Sequence, residues 1–271
     1  MRIVLLVLSM LPLAAEALET QYLHALRNIE YVNAESEIIG RSFHVYTMLP
    51  DGYLENTDRD YPTIYLLDGG GLFPMLVGYY RYLEAGGGAP ESIIVGLSYG
   101  GRTFPEGNFR STDYTAPSSE REWYGGAGDF QRFLADELMP RIERSYRSNP
   151  DRRIVFGHSI GGQFVLYTAL TRPELFWGHL ASNPALHRNL SFFLEQQPEE
   201  QSASRLFVAS ATNDEARFRE PMLAWEKHWS EVAEKPWDYR FVHLDGHSHR
   251  STPPEVFRQG LTWLFAVDSP D

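Results

Sequence analysis

The segment Gly157-His158-Ser159-Ile160-Gly161 sets a serine between two glycines. An apolar β-type run, residues 153–156, leads into it and an apolar helix-like run, residues 160–170, follows. That order is the sequence form of a sharp strand-to-helix turn that carries a nucleophilic serine. The turn brings backbone close to backbone, so a Cβ at position 157 or 161 is expected to clash. Ser159 then projects at the top of a sheet, with a helix N-terminus behind it to favour developing negative charge. A serine hydroxyl also needs a base to take its proton and a third group to orient that base. Two later loops offer them. Ser210-Ala211-Thr212-Asn213-Asp214-Glu215 follows the run 205–209 and carries two carboxylates, while Asp245-Gly246-His247-Ser248-His249 follows the run 239–244 and carries two imidazoles. Spacing alone leaves both choices open, Asp214 or Glu215 and His247 or His249.

These loops need a frame that brings them together. Short continuous apolar runs at 63–67, 92–97, 153–156, 205–209 and 239–244 read as strands covered on both faces. Residues 37–49 read as one or two antiparallel strands ending in the turn Pro50-Asp51-Gly52. Helical patterns lie between them. Phe130, Leu134, Leu138 and Ile142 recur every four residues with Pro140 as a kink or break, and residues 222–232 and 256–265 are further helices. Strands alternating with helices predict an α/β fold: a mainly parallel central sheet with helices on both faces. In such a sheet the loops at the carboxyl ends of the strands converge. The pattern fails between residues 99 and 126, a Gly-, Pro- and aromatic-rich stretch read as an irregular insertion that walls or lids the site.

The chain has 271 residues, 43% of them hydrophobic, and no repeat or long linker divides it. Met1-Arg2, an apolar run to Leu13 and then Ala15-Glu16-Ala17 have the form of a cleavable secretory signal over residues 1–17. The expectation is therefore an exported protein, secreted or periplasmic, with one domain over residues 18–271 and no membrane attachment after cleavage. Its net charge of −12, which loss of the leader leaves unchanged, argues against nucleic acid or an anionic membrane as partner. The absence of cysteine excludes disulfides, thiolate metal sites and a cysteine nucleophile.

Four segments together resemble the esterase D-like (putative-esterase) family of α/β-hydrolases, which includes bacterial siderophore esterases, feruloyl esterases and mycolyltransferases. They are Tyr61-Pro62-Thr63-Ile64-Tyr65-Leu66-Leu67-Asp68-Gly69; Arg110-Ser111-Thr112-Asp113-Tyr114-Thr115-Ala116-Pro117, with Ala116 inserted; residues 126–146 with the serine turn; and Gly246-His247-Ser248-His249-Arg250-Ser251 on to Gly260-Leu261. The resemblance covers roughly residues 35–266 and implies an α/β-hydrolase fold and an acyl-enzyme esterase without cofactor or metal. It puts the nucleophile at Ser159, the base at His249 in place of His247, and the acid at Asp214 in place of Glu215, with Ala211 where the family has glycine. It implies an oxyanion hole from the N–H groups of Ile160 and Gly70, with Asp68 bracing the loop. A small-molecule ester is the implied partner, of siderophore trilactone type by closest likeness. A feruloyl or aryl ester, or acyl transfer, fits the same residues.

Arg102 and Arg110, in the insertion, are candidates to orient a polar or anionic acyl group. His158 is read as packing beside the turn, and Trp225, His228 and Trp229 as helix packing. Asp245, His243, His247 and His249 lack a companion His-Glu-x-x-His pattern, which disfavours a metal site. A non-catalytic binding protein on this fold would be expected to have lost Ser159 or the later histidine, and both remain.

Overall fold

The computed structural model describes residues 23–196 and 202–266. The leader expected at residues 1–17 lies outside the described residues. Eight strands form one sheet: β1 Ile29–Ser36, β2 Arg41–Met48, β3 Tyr61–Leu66, β4 Ile93–Ser98, β5 Ser148–His158, β6 Gly178–Ser182, β7 Arg205–Ala211 and β8 Asp238–Leu244. Their order is β1-β2-β4-β3-β5-β6-β7-β8. β1 and β2 are antiparallel to their neighbours, and every other pairing is parallel. This is the α/β architecture expected, a mainly parallel sheet with helices on both faces. The central strands read as unbroken apolar runs because helices cover them twice; β4 and β7 are buried at every position.

One face carries α1 Gly69–Ala85 and α8 Pro253–Phe265, which pack Phe73, Leu76, Tyr80, Phe257 and Leu261 on Ile64, Phe156 and Leu180. The other carries α3 Ala127–Arg132, α4 Met139–Ser145, α5 Ile160–Thr171, α6 Leu190–Glu195 and α7 Ala216–Glu231. Phe130, Phe133, Phe164, Trp225 and Trp229 fill that side. α5 runs behind the serine and is apolar almost all round, the composition of a helix buried within a layer.

The hairpin lies one step earlier than expected. β1 precedes residue 37, and the turn falls at 37–40, where Gly40 takes φ +72°. α3 and α4 are one continuous rod joined by a π-turn, Phe133–Leu138, so Pro140 is absorbed just after a widened turn without ending the helix. The stretch 99–126 holds a 3₁₀ turn, Phe104–Glu106, and α2 Arg110–Asp113. Asp113, Tyr114, Thr115 and Ala116 within it are buried and anchor it to the core, residues 117–126 return to the surface, and the stretch from Tyr99 to Asn108 walls the site.

Candidate active site

β5 delivers Ser159 into the turn before α5 with φ 59° and ψ −115°, a backbone region that costs a non-glycine residue energy and is held only by its surroundings. The surroundings are specific. The Ser159 N–H donates to the Ser182 carbonyl at 2.9 Å, and the Ser159 carbonyl accepts from Gln163 N at 2.9 Å and Ala185 N at 3.0 Å. A Cβ on Gly157 would sit 2.2 Å from the Gly161 carbonyl oxygen, and one on Gly162 would sit 2.9 Å from the Ser182 carbonyl oxygen. At Gly161 the nearest atom is Asp68 Oδ2 at 3.2 Å, a tight contact with a side chain. The steric demand therefore falls on positions 157 and 162 more than on 161.

The loops after β7 and β8 meet the serine. His249 Nε2 is 2.9 Å from Ser159 Oγ, and His249 Nδ1 is 2.7 Å from Asp214 Oδ2. Asp214 also accepts from Glu215 N at 2.8 Å and from Asn183 Nδ2 at 2.7 Å, and its side chain is only 3% exposed. Glu215 turns outward and pairs with Arg217 at 2.9 Å. His247 Nδ1 lies against the Ser251 backbone carbonyl at 3.2 Å, and His243 Nε2 against Glu226 at 3.1 Å. The three histidines of β8 and the loop after it thus serve different partners. Of the two choices left open by spacing, Asp214 and His249 are the pair beside Ser159.

Two residues went unread in the sequence. Asn183, left-handed at φ 45°, follows β6; its Oδ1 accepts from Ala211 N at 2.6 Å while its Nδ2 reaches Asp214. Asn183-Pro184 is a turn signal, but the short run ahead of it carries no strand pattern in the sequence. Phe218, in the first turn of α7, stacks on the His249 ring with centroids 4.3 Å apart and planes 24° apart. Nothing in its spacing marks it.

At the end of β3, Asp68 takes φ 54° and turns the chain into α1. Arg110 grips it with two bonds, Nε to Oδ1 at 2.6 Å and Nη2 to Oδ2 at 2.8 Å, and the Asp68 N–H donates to Tyr114 Oη at 3.4 Å. The N–H groups of Gly70 and Ile160 open their helices, where no preceding turn supplies an acceptor. A cleft of about 510 Å³ is lined by Gly70, Gly71, Tyr99, Arg102, Asn108 and His158, among others. Arg102 lies in its wall. Arg110 does not, and both of its bonds to Asp68 brace the loop that holds Gly70. His158 is held neutral, its pKa lowered to about 3 chiefly by burial and then by His249 and Arg110.

The profile of the putative esterase family matches residues 36–258. The ferri-bacillibactin esterase BesA of Bacillus subtilis is 30% identical over 263 residues, an alignment covering 85% of this chain and 87% of BesA. The chain belongs to the putative esterase family. It is a hydrolase of the esterase class. The siderophore triacetylfusarinine C esterase of Aspergillus fumigatus is 28% identical, over 66% of this chain and 61% of its own. Among solved structures, an IroE-like serine hydrolase from Shewanella oneidensis has the same fold, with TM-score 0.77 and 24% identity over 90% of this chain and 82% of its own. Siderophore hydrolase EstA from Aspergillus nidulans superposes with TM-score 0.76 at 20% identity, over 90% of this chain and 96% of its own.

Proposed function

We propose that this chain is a serine carboxylic-ester hydrolase that works through an acyl-enzyme, with Ser159 as nucleophile, His249 as base and Asp214 as the acid orienting it. The observation that carries the reading is the unbroken relay from Ser159 Oγ through His249 to Asp214, at 2.9 Å and 2.7 Å. His249 Nε2 takes the Ser159 proton as Oγ attacks the ester carbonyl. Asp214, buried and accepting three hydrogen bonds, keeps a proton on Nδ1 and stabilises the imidazolium that forms. The N–H groups of Ile160 and Gly70 receive the oxyanion. The imidazolium then protonates the departing alkoxide, and water attacks the acyl-enzyme by the same steps in reverse.

A siderophore ester of trilactone type is the substrate favoured, on the named activities of the relatives. Arg102 in the cleft wall supports it, because a local cation offsets the repulsion that a −12 chain exerts on an anionic ligand. The leader-like residues 1–17 favour export, to the periplasm or beyond, where such a substrate would be met. Among the described residues no helix is long and apolar enough to cross a membrane. The test has two arms. Ser159→Ala should abolish hydrolysis of p-nitrophenyl acetate with the far-UV spectrum unchanged; retained turnover would reject the nucleophile. A catecholate trilactone, compared with a feruloyl ester, should give the higher kcat/KM; the reverse order would move the substrate to aryl esters.

A further inference from the structure

His158 precedes the serine, and its ring centroid lies 4.9 Å from that of His249 at an interplanar angle of 55°. It takes no part in the proton relay. Its Nδ1 is 3.1 Å from Ser182 Oγ, which is 3.1 Å from Thr252 Oγ1, which in turn is 3.2 Å from the backbone oxygen of His249. Ser182 and Thr252 are fully buried, so solvent supplies neither of them with a proton or an acceptor. The direction of this chain can be worked out from its far end. A carbonyl only accepts, so the Thr252 hydroxyl donates to His249. Thr252 Oγ1 then accepts from Ser182, whose single proton is committed in doing so. Ser182 Oγ in turn accepts from His158, which places the ring proton on Nδ1. This is the arrangement that satisfies all three contacts.

The consequence is a bare lone pair on His158 Nε2. That nitrogen has no hydrogen-bond partner among the described residues and is not sealed from solvent, and the residue lines the cleft beside Gly70, Gly71 and Arg102. The ring also stays neutral, held so chiefly by burial. The neighbouring groups of the cleft are mostly donors or already engaged. Arg102 donates, Asn108 Nδ2 is bonded to the Gly101 carbonyl, and Asp68 is taken by Arg110.

We propose that His158 is a specificity residue, whose Nε2 accepts a hydrogen bond from an N–H or O–H that the substrate carries next to the scissile carbonyl. The preferred acyl groups are then N-acylamino or hydroxy acids over plain carboxylic acids. This rests on Ser159 being the nucleophile, because the adjacency of the two side chains is what places the donor beside the reacting carbonyl.

The probes are ethyl N-acetylglycinate and ethyl 4-oxopentanoate, which differ by N–H against CH₂, each kcat/KM being divided by the ester's hydroxide rate. The wild-type chain should prefer the N–H ester by about three- to tenfold, the worth of one net hydrogen bond. His158→Phe should bring the ratio to about one, and Ser182→Ala, which releases the tautomer, should lower it. A wild-type ratio of one overturns the proposal without recourse to any variant, as does His158→Phe keeping the preference. Turnover of both esters with no preference leaves Ser159 standing and removes only His158. Failure of the folded wild-type chain to hydrolyse ethyl N-acetylglycinate while it turns over p-nitrophenyl acetate overturns this inference and leaves the nucleophile standing, whereas p-nitrophenyl acetate turnover retained in Ser159→Ala overturns both.

Discussion

Replacing Asn183 separates the alignment of the proposed acid, Asp214, from the presence of the proposed triad. Its Nδ2 donates to Asp214 Oδ2 at 2.7 Å, its Oδ1 accepts from Ala211 N at 2.6 Å, and its backbone is left-handed at φ 45°. Asn183→Gly keeps the backbone conformation accessible and removes both side-chain bonds; Asn183→Ala adds the cost of a Cβ in the left-handed region, about 1–2 kcal/mol. A hydrogen bond to a charged group contributes about 1.5–3 kcal/mol, and if the transition state uses all of it the loss in kcat is about 10- to 150-fold. The fully buried Ala211 N–H left without an acceptor costs about 1–3 kcal/mol of stability, and each kcal/mol moves Tm by about 2–4 °C in a domain this size. The assay is steady-state hydrolysis of p-nitrophenyl acetate, corrected by active-site titration for the folded fraction, with Tm from calorimetry. Asn183→Gly should lose kcat with little change in KM, and Asn183→Ala should melt lower still. Wild-type kcat in Asn183→Gly would refute the idea that this amide holds Asp214 in place.

The two acidic neighbours should behave oppositely. Asp214→Asn is expected to lower kcat about 10⁴-fold by reversing the base's tautomer, whereas Glu215→Gln, which loses only an exposed pair with Arg217, should stay within about twofold; both are read by ester hydrolysis. His179 is fully buried, and burial lowers its pKa from the usual 6.5 to about 3 against an opposing contact with the Arg205 backbone. The folded state thus binds fewer protons than the unfolded chain between those values. Its stabilising neutrality is present above pH 6.5 and is lost as pH falls toward 3, by about 2 kcal/mol already at pH 5. Urea unfolding of His179→Leu at pH 7.5 and 5 should show a shallower decline than wild type, and an unchanged decline would exclude His179 as its source. Arg102→Met should raise KM for p-nitrophenyl hemisuccinate about fivefold more than for p-nitrophenyl acetate, while Arg110→Met, which unpairs Asp68, should lower kcat for both esters; equal effects on the two substrates in Arg102→Met would remove its role in charge recognition.

The residues that meet at the candidate site were more legible than their supports. The serine turn, the carboxylates after β7 and the imidazoles after β8 each stand at a strand end, and chain order alone brought them into one hypothesis. The parallel core strands were legible because burial on both faces leaves unbroken apolar runs. β6 escaped because Gly178-His179-Leu180-Ala181-Ser182 is five residues long and contains no β-branched residue, and Asn183 escaped with it. α1 was hidden by its opening Gly69-Gly70-Gly71 and by Pro74, residues that read as loop. The pairing of Arg110 was hidden for another reason. Its partner Asp68 is 42 residues away, and only tertiary packing shows that the guanidinium is already engaged.

The most direct test of the central claim is to catch the acyl-enzyme. Rapid acid quench of the chain with p-nitrophenyl acetate, followed by digestion and peptide mass spectrometry, should find a single acetyl group on the peptide containing Ser159. That acetyl should be absent from Ser159→Ala, and its formation should keep pace with the burst of p-nitrophenolate. A burst with the acetyl on another residue, or turnover undiminished in Ser159→Ala, would contradict the account.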